Sequence, residues 1–595
     1  MSFSPHIDDL KYAMNTVSGF GDLVDQGRFT DLSNDLVDAV LEEAGKFAAD
    51  VLAPLNEVGD RHGVKLDNGE VTTAPGWKQA YGEWVAGGWG ALPCEPDYGG
   101  QGLPITMSLA VQELWNTANS AFGIGTLLTQ GAVEAVAAHG SEALQAKYLH
   151  KMSSGEWMGT MNLTEPQAGS DLAALRAKAE PQADGSYRIS GTKIFITHGE
   201  HDLTENIIHL VLARLPDAPP GTKGISLFLV PKFLVNDDGS LGARNDVKCV
   251  GVEEKLGIHG SPTCVMAYGE NDGAIGWLVG EENRGLNCMF TMMNNARIHV
   301  GMQGVAIAER AFQQARAFAL DRKQGRRPGT EGMVAIIDHP DVKRMLMTMR
   351  GLTAAARAIC FTTARAIDMS KHGADEDERT ANDDLAWLLT PVAKAFGTDV
   401  GCDVSSLGIQ VHGGMGFIEE TGAAQHFRDA RITPIYEGTN GIQAIDLATR
   451  KLPMKGGAVV QGHIAELKAI AEAVLASNDP AFGQMGYALN EAVEDLEEAT
   501  EWMLERLADE VDHVLASATP YLRLFGLATG GAYLAKGALA VSQHSEDEAS
   551  DRDQGRIAVA RYVAENHLPE TKGLNTIVRR GASSLSAVTA DLIAS

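Results

Sequence analysis

Along the chain the spacing of apolar positions changes twice. Over residues 1 to about 160, stretches such as LSNDLVDAVLEEAGKFAADVLAPLN repeat at the helical period, broken by the loop GGWGALPCEPDYGGQGLP. From about 161 to 285 the period shortens. SYRISGTKIFIT alternates in the strand manner, IIHLVLARL and KGISLFLVPKFLV are rich in β-branched and apolar residues, and ADG and NDDGS punctuate them as turns. After EENRGLN the helical period returns through about residue 450. KLPMKGG then resembles a linker, and a further helical region fills 451–595. The pattern predicts a mostly α protein with a central β domain, divided as 1–160, 161–285, 286–450 and 451–595. In the last region, Leu489, Val493, Leu496, Met503, Leu507, Val511 and Val514 fall on one stripe among acids, which predicts one amphipathic helix packed on a neighbour.

A length of 595 residues exceeds what one core supports, in keeping with several domains. Composition is that of a globular protein, 44% hydrophobic and 21% charged. The net charge of −29 argues against nucleic acid as a partner, since phosphates are met by lysine and arginine surfaces. Six scattered cysteines without a CxxC pair suit a reducing interior and offer no metal site. MSFSPHIDDLKY has early acids and no apolar core, and no run of eighteen apolar residues occurs. A cytoplasmic protein without a membrane span is therefore expected.

Several familiar motifs are absent: a complete GxGxxG, a P-loop and HExxH. Five short segments remain. MNLTEPQAGSD (161–171) offers the hydroxyls of Thr164 and Ser170 and, at Gly169, close access to backbone; such a segment alone is most often just a polar turn between a helix and a strand. In GTKIFITHG, Phe195 and Thr197 share one strand face. ERAFQQARAFALDRKQGRRPG ends in basic residues that complement a helix dipole, while the planar guanidinium of Arg322 also suits phosphate. GIQVHGGMGF has the Gly413-Gly414 pair, a turn or a surface for a flat or anionic ligand. Finally, TPIYEGTNGIQAIDLATR sets a lone acid, Glu437, just before the helix-capping residues Thr439 and Asn440.

In this order, and with TEPxAGSD and IYEGTNxIQ as a specific pair, the segments resemble the acyl-CoA dehydrogenase family of flavoproteins, over about residues 40 to 450. The resemblance implies a helical domain, a small β-barrel-like domain and a four-helix domain. The extra C-terminal helical domain looks like the family's longer branch, which includes enzymes acting on very long acyl chains, an alkylation-response flavoprotein and bacterial enzymes acting on 3-(methylthio)propionyl-CoA. Across its whole length the chain looks most like the last group, which implies that substrate or another short acyl-CoA.

The resemblance also implies roles. Met161, Leu163, Thr164, Gly169 and Ser170 would wrap FAD, with Ser170 also near CoA. Phe195, where the family commonly has Trp, and Thr197 would lie against the flavin. Arg322, Gln410, Gly413 and Gly414 would hold the ADP half across a homodimer interface, although a phenylalanine usual near Arg322 is missing. Thr439 and Asn440 would lie near the pyrophosphate, where helix N-terminal amides favour anions. Tyr436, Gly438 and Arg297 fall on the substrate side, and Arg297 serves equally as a structural ion pair. Desaturating a thioester needs a base for a very weakly acidic α-proton while hydride leaves the β-carbon. Glu437 matches that base. The alternative family position, just before Arg297, is Ala296, which has no acid to offer. Electron-transferring flavoprotein is the implied acceptor. An acyl-CoA oxidase would use the same residues, whereas a nucleic-acid-binding flavoprotein conflicts with 21 acids against 12 Lys and Arg in residues 451–595.

Overall fold

The computed structural model describes residues 3–543 and 550–594. It is mostly helical with one large sheet and divides into two compact units, one contiguous (44–296) and one discontinuous (1–43 with 297–595). The boundary falls inside the helix Gly285–Asp321.

In the contiguous unit, eight strands form the sheet. The order is Val247–Val252, Thr263–Tyr268, Tyr187–Thr197, Ala274–Val279, Ser226–Pro231, Asn206–Ala213 and Trp157–Asn162, with Lys178–Pro181 paired off this path to Tyr187–Thr197. Pairing is antiparallel except between Trp157–Asn162 and Asn206–Ala213. The strand Asn206–Ala213 is buried at every position, which is why its sequence reads as a continuous apolar run and not as an alternation. A small hairpin, Lys65–Asp67 with Glu70–Thr72, stands within the region expected to be helical.

In the discontinuous unit the helix Pro340–His372 packs along Glu376–His412. Beyond the turn at Met454–Gly457 come Ala458–Ser477, Met485–Arg506, Val511–Ser542, Asp551–Asn566 and Glu570–Arg580. The single helix expected through Val514 is two. Met485–Arg506 ends at the acid-rich stretch before Val511, and the two helices then pack against one another, which requires the chain to turn. Leu489, Val493, Leu496 and Met503 are buried as the stripe requires, but Val511 is exposed and Val514 is buried in the next helix. Two helices, Ile105–His139 and Val511–Ser542, are long and apolar enough to cross a membrane (hydropathy 1.3 each), yet 83% of each apolar window is buried inside the protein. They are core helices here.

The N-terminal stretch packs on this unit as well. Tyr12 lies under the Arg556 guanidinium at 4.2 Å, Asp9 pairs with Arg350 at 3.3 Å, and Asp8 pairs with Arg552.

Two helices of this unit meet with almost nothing between them. A Cβ on Gly301 would lie 2.4 Å from the Ala393 carbonyl oxygen, and one on Gly304 would lie 2.2 Å from that of Gly397. Reciprocally, a Cβ on Gly397 would meet the Gly301 oxygen at 2.6 Å, and one on Gly401 the Gly304 Cα at 2.9 Å. No side chain fits there without moving a helix. Gly301→Ala should therefore destabilise the protein by about 1–3 kcal/mol in urea unfolding. Gly462→Ala, on an exposed helical surface where a Cβ meets nothing within 4 Å, should instead stabilise it by about 0.5–1 kcal/mol.

Candidate active site

Glu437 sits on a turn in the discontinuous unit. After the helix Ala423–Ala430 the Thr433 hydroxyl donates back to the Ala430 carbonyl at 2.8 Å, and the Asn440 N–H reaches the Pro434 carbonyl at 2.9 Å. Between them Glu437 adopts φ +56° and Gly438 φ +85°. Left-handed backbone costs an L-residue about 1–2 kcal/mol. Neighbouring groups hold it in place: Gln443 Nε2 donates to the carbonyls of Glu437 and Gly438, both at 3.3 Å, and the Tyr436 hydroxyl donates to Gln303 Oε1. Thr439 caps the helix Asn440–Asp446, its hydroxyl accepting the Ile442 N–H at 3.3 Å. The side chain of Asn440 is turned inward. It accepts from Lys394 Nζ at 2.9 Å and donates to the Ala395 carbonyl at 3.1 Å and Asp399 Oδ1 at 2.7 Å, so main chain is what Asn440 can offer a ligand.

The electrostatics of the turn follow from burial. Glu437 is half-buried, and its carboxyl is pushed above the usual glutamate range by loss of solvent, which outweighs the opposing pull of Arg297 and Lys394. Arg297 is buried and lies 3.9 Å from Asp446 Oδ2, and burial draws its guanidinium below the usual value. Lys394 is fully buried and is lowered to about 7, desolvation prevailing over Glu437 and Asp399. Sequence reasoning missed Lys394. The signal was there: a lone cation inside the apolar run LLTPVAKAFG. Ala296 is buried.

The segment 161–170 and the strand Tyr187–Thr197 belong to the contiguous unit and are brought together there. The Glu165 and Ala168 backbones bond to each other at 2.9 and 3.0 Å, making a tight turn. Lys193, fully buried, donates to Glu165 Oε1 at 2.9 Å and to the Leu163 carbonyl at 3.0 Å, and the Ile194 N–H meets the Thr164 carbonyl at 2.9 Å. Phe195 and Thr197 do share a face, with Ile196 buried between them, but the strand is not regular. Its register with Thr263–Tyr268 shifts here, and Phe195 takes φ +60° with 58% of its surface exposed. Met161 is buried, Leu163 and Thr164 half-buried, and Gly169 and Ser170 exposed. A Cβ on Gly169 would meet nothing within 4 Å.

The third group lies at one end of the helices of the discontinuous unit. The Arg322 guanidinium sits 5.2 Å over the Phe318 ring, which stacks on His412 at 4.5 Å, next to Gly413. Arg322, Gln410, Gly413 and Gly414 are exposed, and Cβ atoms on either glycine would enter open space. Met415, Phe417 (85% exposed) and Ile418 form an apolar surface beside them.

Known families match nearly the whole chain. The profile described as acyl-CoA dehydrogenase, N-terminal domain, matches residues 35–156, the middle domain 160–269 and the C-terminal domain 283–452, while one described as acetyl-CoA dehydrogenase C-terminal like matches 463–589. The chain is 44% identical to a 3-methylmercaptopropionyl-CoA dehydrogenase of Ruegeria pomeroyi, covering 99% of this chain and 100% of that one. It is 36% identical to a butyryl-CoA dehydrogenase of Syntrophomonas wolfei over 95% of both. Among solved structures, Caenorhabditis elegans ACDH-11 in complex with C11-CoA superposes with a TM-score of 0.77 at 20% identity, covering 98% of this chain and 96% of that one. An acyl-CoA dehydrogenase complexed with FAD from Bacillus anthracis gives 0.74 at 20% identity, over 98% and 93%.

The geometry of the turn carries its own test. A Cβ on Gly438 would lie 2.6 Å from the Gln443 Nε2 that holds the turn, on backbone already at positive φ. Gly438→Ala should cost about 1–2 kcal/mol in urea unfolding and lower turnover with it.

Proposed function

The chain belongs to the acyl-CoA dehydrogenase family, FAD-dependent oxidoreductases acting on acyl-CoA, and we propose that it desaturates a short acyl-CoA with Glu437 as the base. The observation that supports this reading most is the placement of Glu437: a half-buried carboxyl, held on left-handed backbone and raised by burial above the usual glutamate range.

The residues present fit FAD. Phe195 offers an exposed aromatic face, Thr164 and Thr197 offer hydroxyls, and Met161, Leu163, Gly169 and Ser170 complete that segment with open backbone at Gly169. Arg322, Gln410, Gly413 and Gly414 offer a cation, an amide and open main chain for the ADP half. Thr439 and the Asn440 main chain would serve the pyrophosphate. When bound, the cofactor supplies an acceptor for the hydride that leaves the substrate β-carbon.

The protein's own part is to take the α-proton. Glu437 Oε accepts it as the α,β double bond forms, and the backbone N–H of Glu437 donates to the thioester oxygen, which gains enolate character. Tyr436 and Gly438 shape the turn against the substrate, and the buried Arg297 contributes positive charge near Glu437. An exposed apolar surface at Met415, Phe417 and Ile418 beside the Arg322 group supports a homodimer that shares the ADP half between subunits. Electron-transferring flavoprotein is the acceptor this reading implies. Turnover in air without an added acceptor would point to an oxidase.

Two similarities bear on the acyl group, since the acyl groups in the names of the relatives, 3-methylmercaptopropionyl and butyryl, are both short. We infer 3-(methylthio)propionyl-CoA as substrate. A thioether sulfur is close to a methylene in size, so butyryl- to hexanoyl-CoA should also react.

Glu437→Gln should leave a folded, yellow protein with desaturation reduced at least about a hundredfold, measured with an artificial electron acceptor; near-normal turnover would remove Glu437 from the mechanism. kcat/KM measured from four to sixteen carbons beside the methylthio compound should peak at the short end, with differences of about 1–3 kcal/mol per methylene. A maximum at twelve carbons or more would reject the short-chain assignment.

A further inference from the structure

We propose that Lys394 is a positioning residue for this reaction: it ties down both ends of the turn that carries Glu437 and biases that carboxyl toward its charged form. The inference rests on the reading of Glu437 as base and extends it to a side chain on another helix.

Lys394 lies on Glu376–His412, three residues before Gly397, where the glycine contact with Gly285–Asp321 leaves no room for either helix to shift. Its Nζ donates to the Thr433 carbonyl and to Asn440 Oδ1, both at 2.9 Å. Thr433 precedes Glu437 by four residues and Asn440 follows it by three, so one ammonium spans the turn. Asn440 is fixed in its turn by the Ala395 carbonyl, Thr398 Oγ1 at 3.0 Å and Asp399 Oδ1. A neutral donor could serve the hydrogen bonds; what it would lack is charge. Burying an ammonium is costly, and here Lys394 is wholly buried with Glu437, Asp399, Cys402 and Arg297 as its charged or titratable neighbours. Around Glu437 the corresponding groups are Arg297 on Gly285–Asp321 and Lys394 on Glu376–His412, both cations.

The sign of the effect follows. A protonated Lys394 stabilises ionised Glu437 and so keeps the base active to lower pH. Removing the charge lets burial act unopposed from that side, and Glu437 takes up its proton at higher pH. Since desolvation brings Lys394 itself to about 7, its charge is present below that pH and fades above it.

The test is the pH dependence of kcat/KM on butyryl-CoA for the flavin-loaded enzyme, comparing wild type with Lys394→Met, which removes donors and charge, and Lys394→Gln, which removes the charge but keeps a shorter, neutral donor. The acid limb should move to higher pH by about 1 unit or more in both variants, as expected for loss of a nearby opposite charge, with kcat falling further in the methionine variant. Folded, flavin-loaded variants whose acid limb stays at the wild-type position would overturn the proposal. Glu437→Gln, run in parallel, separates the two readings. Near-wild-type turnover of that variant defeats the assignment of the base; its inactivity beside unshifted Lys394 variants defeats only the role of the lysine.

Discussion

The close approach of the helices Gly285–Asp321 and Glu376–His412 is the constraint on which the turn at Glu437 depends. Four glycines, Gly301, Gly304, Gly397 and Gly401, let backbone lie against backbone. Such a contact has few ways to adjust, because protein interiors pack like crystals and yield by discrete shifts. Arg297 stands one turn before this contact on one helix and Lys394 one turn before it on the other. The glycines thus fix where two buried cations lie relative to the Glu437 turn, and a turn strained at Glu437 needs such fixing.

The same device recurs in the contiguous unit. There Lys193, as fully buried as Lys394, reaches the Leu163 carbonyl and the Glu165 carboxylate and so pins the turn 161–170 onto the strand that carries Phe195. In both places a buried lysine adds donors, with a reach that backbone lacks, to the bonds that hold a turn. Glu165, partnered also by the Arg176 and Ala177 N–H groups, stays below the usual glutamate range in spite of burial, whereas Glu437 is raised. The difference is in the bonds. Glu165 is saturated with donors, and Glu437 faces its cations without a comparable set.

Much of this was legible in the sequence because it depends on local pattern. The change from a period near 3.6 to one near 2 located the β region, and the resemblance of five short segments to a known family implied roles for Glu437, Phe195 and Arg322. What was not legible depends on contacts between distant positions. The left-handed backbone at Phe195 comes from a register shift against Thr263–Tyr268, and that at Glu437 is kept by Gln443, Gln303 and the cap. The inward turn of Asn440 and the reach of Lys394 join residues more than forty positions apart. The break before Val511 lies where the apolar stripe continues without interruption, so periodicity alone could not reveal it.

The ion pair between Asp8 and Arg552 joins positions 544 residues apart, and the Arg556 guanidinium also donates to the Asp8 carbonyl at 3.3 Å. This has a consequence for how the protein is made. The contiguous unit is complete once residue 296 has been synthesised and can close on its own contacts, whereas the discontinuous unit contains segments from both ends of the chain. During translation the first helices therefore wait, with Met14 and Val17 bare of the segments Pro340–His372 and Val511–Ser542 that later pack on them. Their apolar surface is what a chaperone would cover in the meantime.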